Sequence, residues 1–267
     1  MLSTTTRPLF NSPLTHFTPR HTLLRRHSLT RRHSLSTTTT TTQIKMSSPP
    51  STIEHIVLFK VKPTSTSTQL SSMLTGLNSL TTLPNVLHLT AGKLHQSLSP
   101  TFSFTHILHS RYATKQDLAN YSSHPDHLSV VRTNVLPICD DIMAVDWVND
   151  NLNGPIVVKP GSAIRLQLIK LKDGVGEREK SDVFEVISGL KEKLAGILQL
   201  SFGENFSPGR NKGFEICSIG VFTGVDDLNA LEGNLEIVKE KDKVRDFIDD
   251  LIVVDYVVPS FVQSASL

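Results

Sequence analysis

Acidic residues are missing altogether from residues 1–45, cysteine occurs only twice in 267 residues, and tryptophan only once. Each scarcity excludes something. Cys139 and Cys217 stand beside apolar residues and form no Cys-x-x-Cys pair, so neither a disulfide framework nor a thiolate metal site is available. Both are expected as buried thiols of a protein kept in a reducing compartment. In the leader, apolar residues never run longer than two or three, which leaves no secretory core and no membrane span. No Gly-Lys-Ser/Thr follows the glycines of GENFSPGRNKGFE, residues 203–215, so that stretch reads as a hairpin loop rather than a phosphate cradle. The net charge is only +2, and with residues 1–50 set aside the remainder is mildly acidic. A nucleic-acid-binding face is therefore not expected.

What the chain does contain is organised in blocks. Residues 1–50 are rich in Ser, Thr, Arg and His, the composition of a disordered, transit-like leader. That composition favours the chloroplast. A start at Met46 would instead leave only the C-terminal Ala-Ser-Leu, a distant relative of the peroxisomal tail. From residue 53, IEHIVLFKVK reads as a strand with apolar residues on both faces. Leu70, Met73, Leu74, Leu77 and Leu80 then form a helical stripe that ends before Pro84. Two strand-like runs follow, VLHLTAGK and SFTHILHSRYA, then a helix from about Lys115 to Tyr121, another after Pro125, and a last strand in IMAVDWV. The order is β-α-β-β-α-β.

That order then repeats. Phe59, Phe104, Tyr112 and Leu118 fall on Ile169, Phe214, Phe222 and Leu228 at a constant offset of 110 residues, and DDIMAVDWV matches DDLIVVDYV at 109. The expected organisation is a first domain at 51–150, a linker at 151–161, a degenerate second domain at 162–260 and a tail at 261–267. A β-α-β-β-α-β unit places both helices on one face of an antiparallel sheet and leaves the other face bare. Two such ferredoxin-like repeats cover one another when their bare faces meet, an α+β barrel with helices outside and strands buried on both sides.

IEHIVLFK, FTHILHS, YSSHPDHLSVV and the closing DDIMAVDWV resemble the signature of the plant stress-response A/B barrel family, and the duplicated arrangement is similar to its tandem-domain, peroxisome-associated members. The resemblance implies a stress-associated protein, non-enzymatic, with a first-copy cavity open to a small apolar ligand. It also implies a pseudo-dimer within one chain, a homodimer being possible only through outer surfaces, and no cofactor, metal, nucleic acid or membrane partner. The first copy is also similar to olivetolic acid cyclase, a plant relative whose polar positions fall on His55, His106, Tyr121 and His127. This implies the alternative, a polyketide-cyclase-like lyase in which Tyr121 and His127 carry an aldol cyclisation and His55 and His106 stand behind them.

The residue types suit that chemistry, since imidazole and phenol can remove a proton beside a carbonyl and hold the resulting enolate. They equally suit packing. His55 and His106 alternate with apolar residues, as buried hydrogen-bonded histidines do, and His124-Pro125 reads as a helix start with His127 one turn inside. His88, His95 and His109 are expected on the surface or in loops. Every cyclase-type residue is replaced in the second copy, by Arg165, Ile216, Leu231 and Ile237, so any reaction belongs to the first copy. KEKDKVRD, residues 239–246, reads as a solvated helix face.

Overall fold

A computed structural model of the chain describes residues 51–260, except Pro100, Asn151, Ala195 and Glu232. The leader and the C-terminal tail lie outside the described residues, as do the expectations about address that rest on them.

The first copy runs β1 (Thr52–Val61), α1 (Ser67–Ser79), β2 (His88–Lys93), the two-residue β3 (Gln96–Ser97), β4 (His106–Tyr112), α2 (Lys115–Ser123), α3 (Pro125–Val130) and β5 (Cys139–Asn149). The second runs β6 (Ala163–Leu171), α4 (Glu177–Lys193), β7 (Ile197–Glu204), β8 (Ile216–Phe222), α5 (Val225–Asn229), α6 (Leu235–Asp242) and β9 (Ile248–Val257). Local chemistry sets several of these boundaries. Thr66 Oγ1 accepts from the Gln69 amide at 3.2 Å while Gln69 Oε1 accepts from the Thr66 amide at 2.8 Å, a reciprocal cap that starts α1. From there Met73 and Leu77 turn into the core.

Two antiparallel sheets result, ordered β2-β4-β1-β5 and β3-β9-β6-β8-β7. Strand alternation sorts their side chains into separate layers. Ile56 and Leu58 of β1 join Val145, Trp147, Leu166, Leu168 and Val254 in a core shared by both sheets. Ile53 and Phe59, on the other face, pack with Met73, Leu77, Leu118 and Tyr121 beneath the first-copy helices. Apolar residues on both faces of β1 thus have two cores to fill.

The copies also reach across to each other at their edges, by a strand on one side and a loop on the other. After β2 the chain crosses over, so that the His95 amide donates to the Asp255 carbonyl at 2.8 Å and β3 pairs with β9. After β7 the loop of the second copy reaches back to β5 without adding a strand, the Phe206 amide donating to the Asp146 carbonyl at 2.9 Å. Asp146 and Asp255 are the matched positions of the two closing strands, so the two backbone contacts are pseudo-symmetric. Trp147 seals one seam, its Nε1 donating to Ser201 Oγ at 2.9 Å. Gly203 is required opposite it, because a Cβ there would stand 2.8 Å from the Val148 carbonyl oxygen. The linker is packed as well: Leu152 and Val158 are buried, and the Ile156 carbonyl accepts from Arg111 Nη1 at 2.7 Å.

Two surface expectations are overturned. His109 is fully buried and His88 nearly so; only His95 is exposed. Both face the inter-sheet interior because β4 pairs Arg111 with Glu54 on one side and with His88 on the other, which brings all four side chains onto one face. His109 Nε2 donates to Glu54 Oε2 at 2.7 Å and Arg111 Nε to Glu54 Oε1 at 3.0 Å. Burial alone would raise the Glu54 carboxyl, but the charge of Arg111 and the bond from His109 overcome it and hold the group at about 2. Burial, then the neighbouring His109 and Arg111, pushes His88 down to about 2. The second copy has Ile164, Ile219 and Val221 at the positions of Glu54, His109 and Arg111, so this cluster is confined to the first. Cys217 is buried as expected, whereas Cys139 is only partly covered.

Candidate functional site

The site lies between the first-copy sheet and its helices, not inside the barrel, whose interior is filled by the shared core. β1 turns His55 and Val57 toward the helices, and α2 and α3 bring Tyr121 and His127 down onto them. A cavity of about 320 Å³ is left, lined by these residues with Leu77, Leu108, Val135 and Ala144. Its wall is mostly apolar and its polar groups are few, the usual make-up of a small-molecule pocket.

His55 is fixed by its strand partner. Asp146 lies opposite it in β5, and His55 Nδ1 stands 2.5 Å from Asp146 Oδ1. Burial would raise the Asp146 carboxyl, but the charge and hydrogen bond of His55 bring it below its ordinary value. The ionised carboxylate accepts from Nδ1–H, which leaves Nε2 as the other functional atom of the ring.

Tyr121 is buried, its ring centroid 5.2 Å from that of Tyr112 and 4.6 Å from that of His127. Burial pushes its hydroxyl well above the usual tyrosine value, and a hydrogen bond with Tyr112 offsets only part of this. Tyr121 is therefore a neutral donor throughout the physiological range. His127 Nδ1 is 2.9 Å from the Ser122 carbonyl. Since a carbonyl only accepts, Nδ1 carries the proton, and the neutral ring keeps Nε2 as an acceptor. Burial lowers the His127 pKa, the Ser122 carbonyl partly restoring it, so neutral imidazole is the form present near pH 7.

His124, three residues earlier, does different work. It is the N-cap of α3, its Nδ1 accepting from the Asp126 amide at 3.2 Å with Pro125 at the first helical position. One histidine of YSSHPDHL starts a helix and the other lines the cavity. His106 does not line it. The register places His106 opposite Phe59, one step past the Val57–Leu108 pair; Phe59 reaches the cavity wall, while His106 bonds Thr105 Oγ1 at 2.8 Å.

Sequence reasoning missed Asp146 as the partner of His55, and it missed Arg210. Arg210 belongs to the β7–β8 loop of the second copy yet lines the first-copy cavity. That loop is held in place by the Phe206–Asp146 backbone bond and by Lys115, whose Nζ lies 4.0 Å from the centroid of the Phe206 ring. The second copy thus supplies a cation to the site as well as a sheet. The equivalent of His55 in its own sheet is Arg165, whose Nε donates to Asp255 Oδ1 at 2.8 Å. Among the described residues, no group of three or more His, Cys, Asp or Glu side chains is placed to hold a metal ion, and no helix is long and apolar enough to cross a membrane.

Comparison with known proteins agrees with this architecture. The family model for the stress responsive A/B barrel domain matches residues 53–149 and 164–258. One stress-response A/B barrel domain-containing protein of Arabidopsis thaliana is 47% identical over 272 residues, covering 100% of both chains. A second such protein from the same plant is 43% identical over 212 residues, 79% of this chain and 98% of its own. Among solved structures, a Fusobacterium nucleatum protein described as a candidate monooxygenase superposes with a TM-score of 0.57 at 13% identity, covering 78% of this chain and 93% of its own. That likeness concerns the fold alone.

Proposed function

The chain belongs to the stress-responsive A/B barrel family, and within that family we propose that it is a binding protein whose first copy receives a small, largely apolar ligand with one hydrogen-bonding end. The observation that carries this reading is the first-copy cavity of about 320 Å³, in which Tyr121, Ser122, His127, His55 and Arg210 are the polar exceptions in an apolar wall. A purely structural repeat gains nothing from such a space, since filling a void of this size with side chains would add packing stability. The fit is to a ligand whose oxygen accepts from the Tyr121 hydroxyl while its apolar body lies against Leu77, Leu108 and Val135.

Hexanophenone, an alkyl aryl ketone, is a suitable probe. It should bind the full chain with one site, and Ala144→Phe, which fills the cavity from β5, should weaken binding at least tenfold without loss of thermal stability. Unchanged affinity in that variant would show that the ketone binds elsewhere and would remove the basis of the proposal.

A second reading is favoured by one arrangement, the His55–Asp146 pair beside a neutral His127. With Nδ1 of His127 bonded to the Ser122 carbonyl, its Nε2 can take a proton from the carbon next to a ligand carbonyl while Tyr121 donates to the oxygen that becomes enolate. Closing a ring would then require the enolate carbon to attack a second carbonyl of the same molecule, the proton returning from imidazolium to the new alkoxide. Exchange of the ketone's α-hydrogens in heavy water separates the readings. Catalysed exchange that falls roughly 10² to 10⁴-fold in His55→Ala or His127→Ala supports the lyase, and binding without exchange supports the binding protein.

A further inference from the structure

The second copy keeps the space between its sheet and helices but lines it with different chemistry. Leu231 and Ile237 replace Tyr121 and His127, Arg165 replaces His55, and Lys241 stands where the first copy has Val131. Two neighbouring cavities result, of about 50 Å³ and about 300 Å³, and Gln167, Leu190 and Lys241 line both. Val183, Ile187, Val244 and Leu251 give the larger one an apolar wall, with Lys241 and Arg245 as its charged lining residues.

The charges are unevenly balanced. Arg165 is matched by Asp255 through two contacts of 2.8 Å. The acids flanking Lys241 are engaged elsewhere: Glu240 with Lys193 and Lys243, and Asp242 with Arg245. Among the described residues, no carboxylate is paired with Lys241. Its side chain is open to solvent at the rim, yet burial of the ammonium and the nearby Arg165 hold its pKa below the ordinary lysine value. The solvated helix face expected for this segment holds for Lys239, Lys243 and Asp246, but Lys241 leans over an apolar cleft.

We propose that the second-copy cleft binds an acyl carboxylate, the hydrocarbon chain lying between the sheet and helix α4 and the carboxylate meeting Lys241 at the rim. An apolar trough whose rim carries Lys241, with the neighbouring Arg245 already held by Asp242, selects for such a molecule, because the tail gains burial and the head finds a charge-assisted partner without leaving water entirely. A neutral ligand of the same length gains the first term only. This site is independent of the first-copy cavity and shares no lining residue with it.

Isothermal titration of the full chain with decanoate and with decanol, both below their aggregation limits, tests the proposal. Decanoate should bind more tightly than decanol. Lys241→Met should weaken decanoate about tenfold and leave decanol unchanged, whereas Val186→Trp, which fills the trough from α4, should weaken both. In Ala144→Phe, whose first-copy cavity is filled, the Lys241-dependent binding of decanoate should persist. The proposal is overturned if native protein binds neither ligand, if Lys241→Met leaves decanoate unaffected, or if the first-copy variant abolishes decanoate binding.

Discussion

Replacing Glu54 by Gln should destabilise the protein by about 3–5 kcal/mol in chemical denaturation at neutral pH, because it leaves the Arg111 guanidinium buried without its counter-charge. The magnitude follows from placement. Glu54, His109 and Arg111 have no solvent exposure, so water cannot replace the lost carboxylate, and the Pro155 and Ile156 carbonyls near Arg111 carry no net charge. The same group gives the protein a defined acid sensitivity. Its pKa falls from 4.5 to about 2 on folding, so its contribution is complete above pH 4.5 and disappears as the pH falls toward 2. On the order of 3 kcal/mol of stability should go in that window, and Glu54→Gln should flatten the corresponding part of the stability profile. A cost under about 1 kcal/mol would mean that Arg111 has access to another anion or to water.

Trp147→Ala should cost about as much, roughly 3–5 kcal/mol, by opening a cavity at the seam between the copies. Trp147 is completely buried, belongs to the core shared by both sheets, and is bonded across the seam to Ser201. Its loss should therefore lower the stability of both copies together, as one cooperative transition followed by circular dichroism. Trp147→Phe, which keeps much of the volume but not the indole N–H, should recover part of the loss. Two separate transitions in the native protein, with only the first shifted in Trp147→Ala, would show that the copies fold independently and that the crossed-over segments contribute little.

The duplication was legible because both copies bury their strands on two faces, so apolar residues recur at the same positions even where the motif has drifted. Phe59 with Ile169 and Tyr112 with Phe222 are such pairs. The closing strands kept Asp146 and Asp255 in register, but their role as partners of His55 and Arg165 depends on which strand lies next to β1 and β6, and spacing along the chain does not encode that. His109 and His88 looked like surface residues for the same reason: their burial follows from β4 standing between β1 and β2. His55, Tyr121 and His127 all line the first-copy cavity. His106 shares their face of the sheet but sits two residues beyond Leu108 along it, a distinction that only the register makes. Arg210 lay in a loop with no pattern at all, and only the crossing of the second copy onto β5 brings it to the first-copy cavity.

The most direct measurement is a crystal structure of the full chain soaked with hexanophenone. The expected placement of the ketone is between the first-copy sheet and helices, its oxygen within hydrogen-bonding distance of Tyr121 Oη and its alkyl chain against Leu77 and Leu108. A cavity closed by those side chains, or a ketone bound only in the second copy, would contradict it.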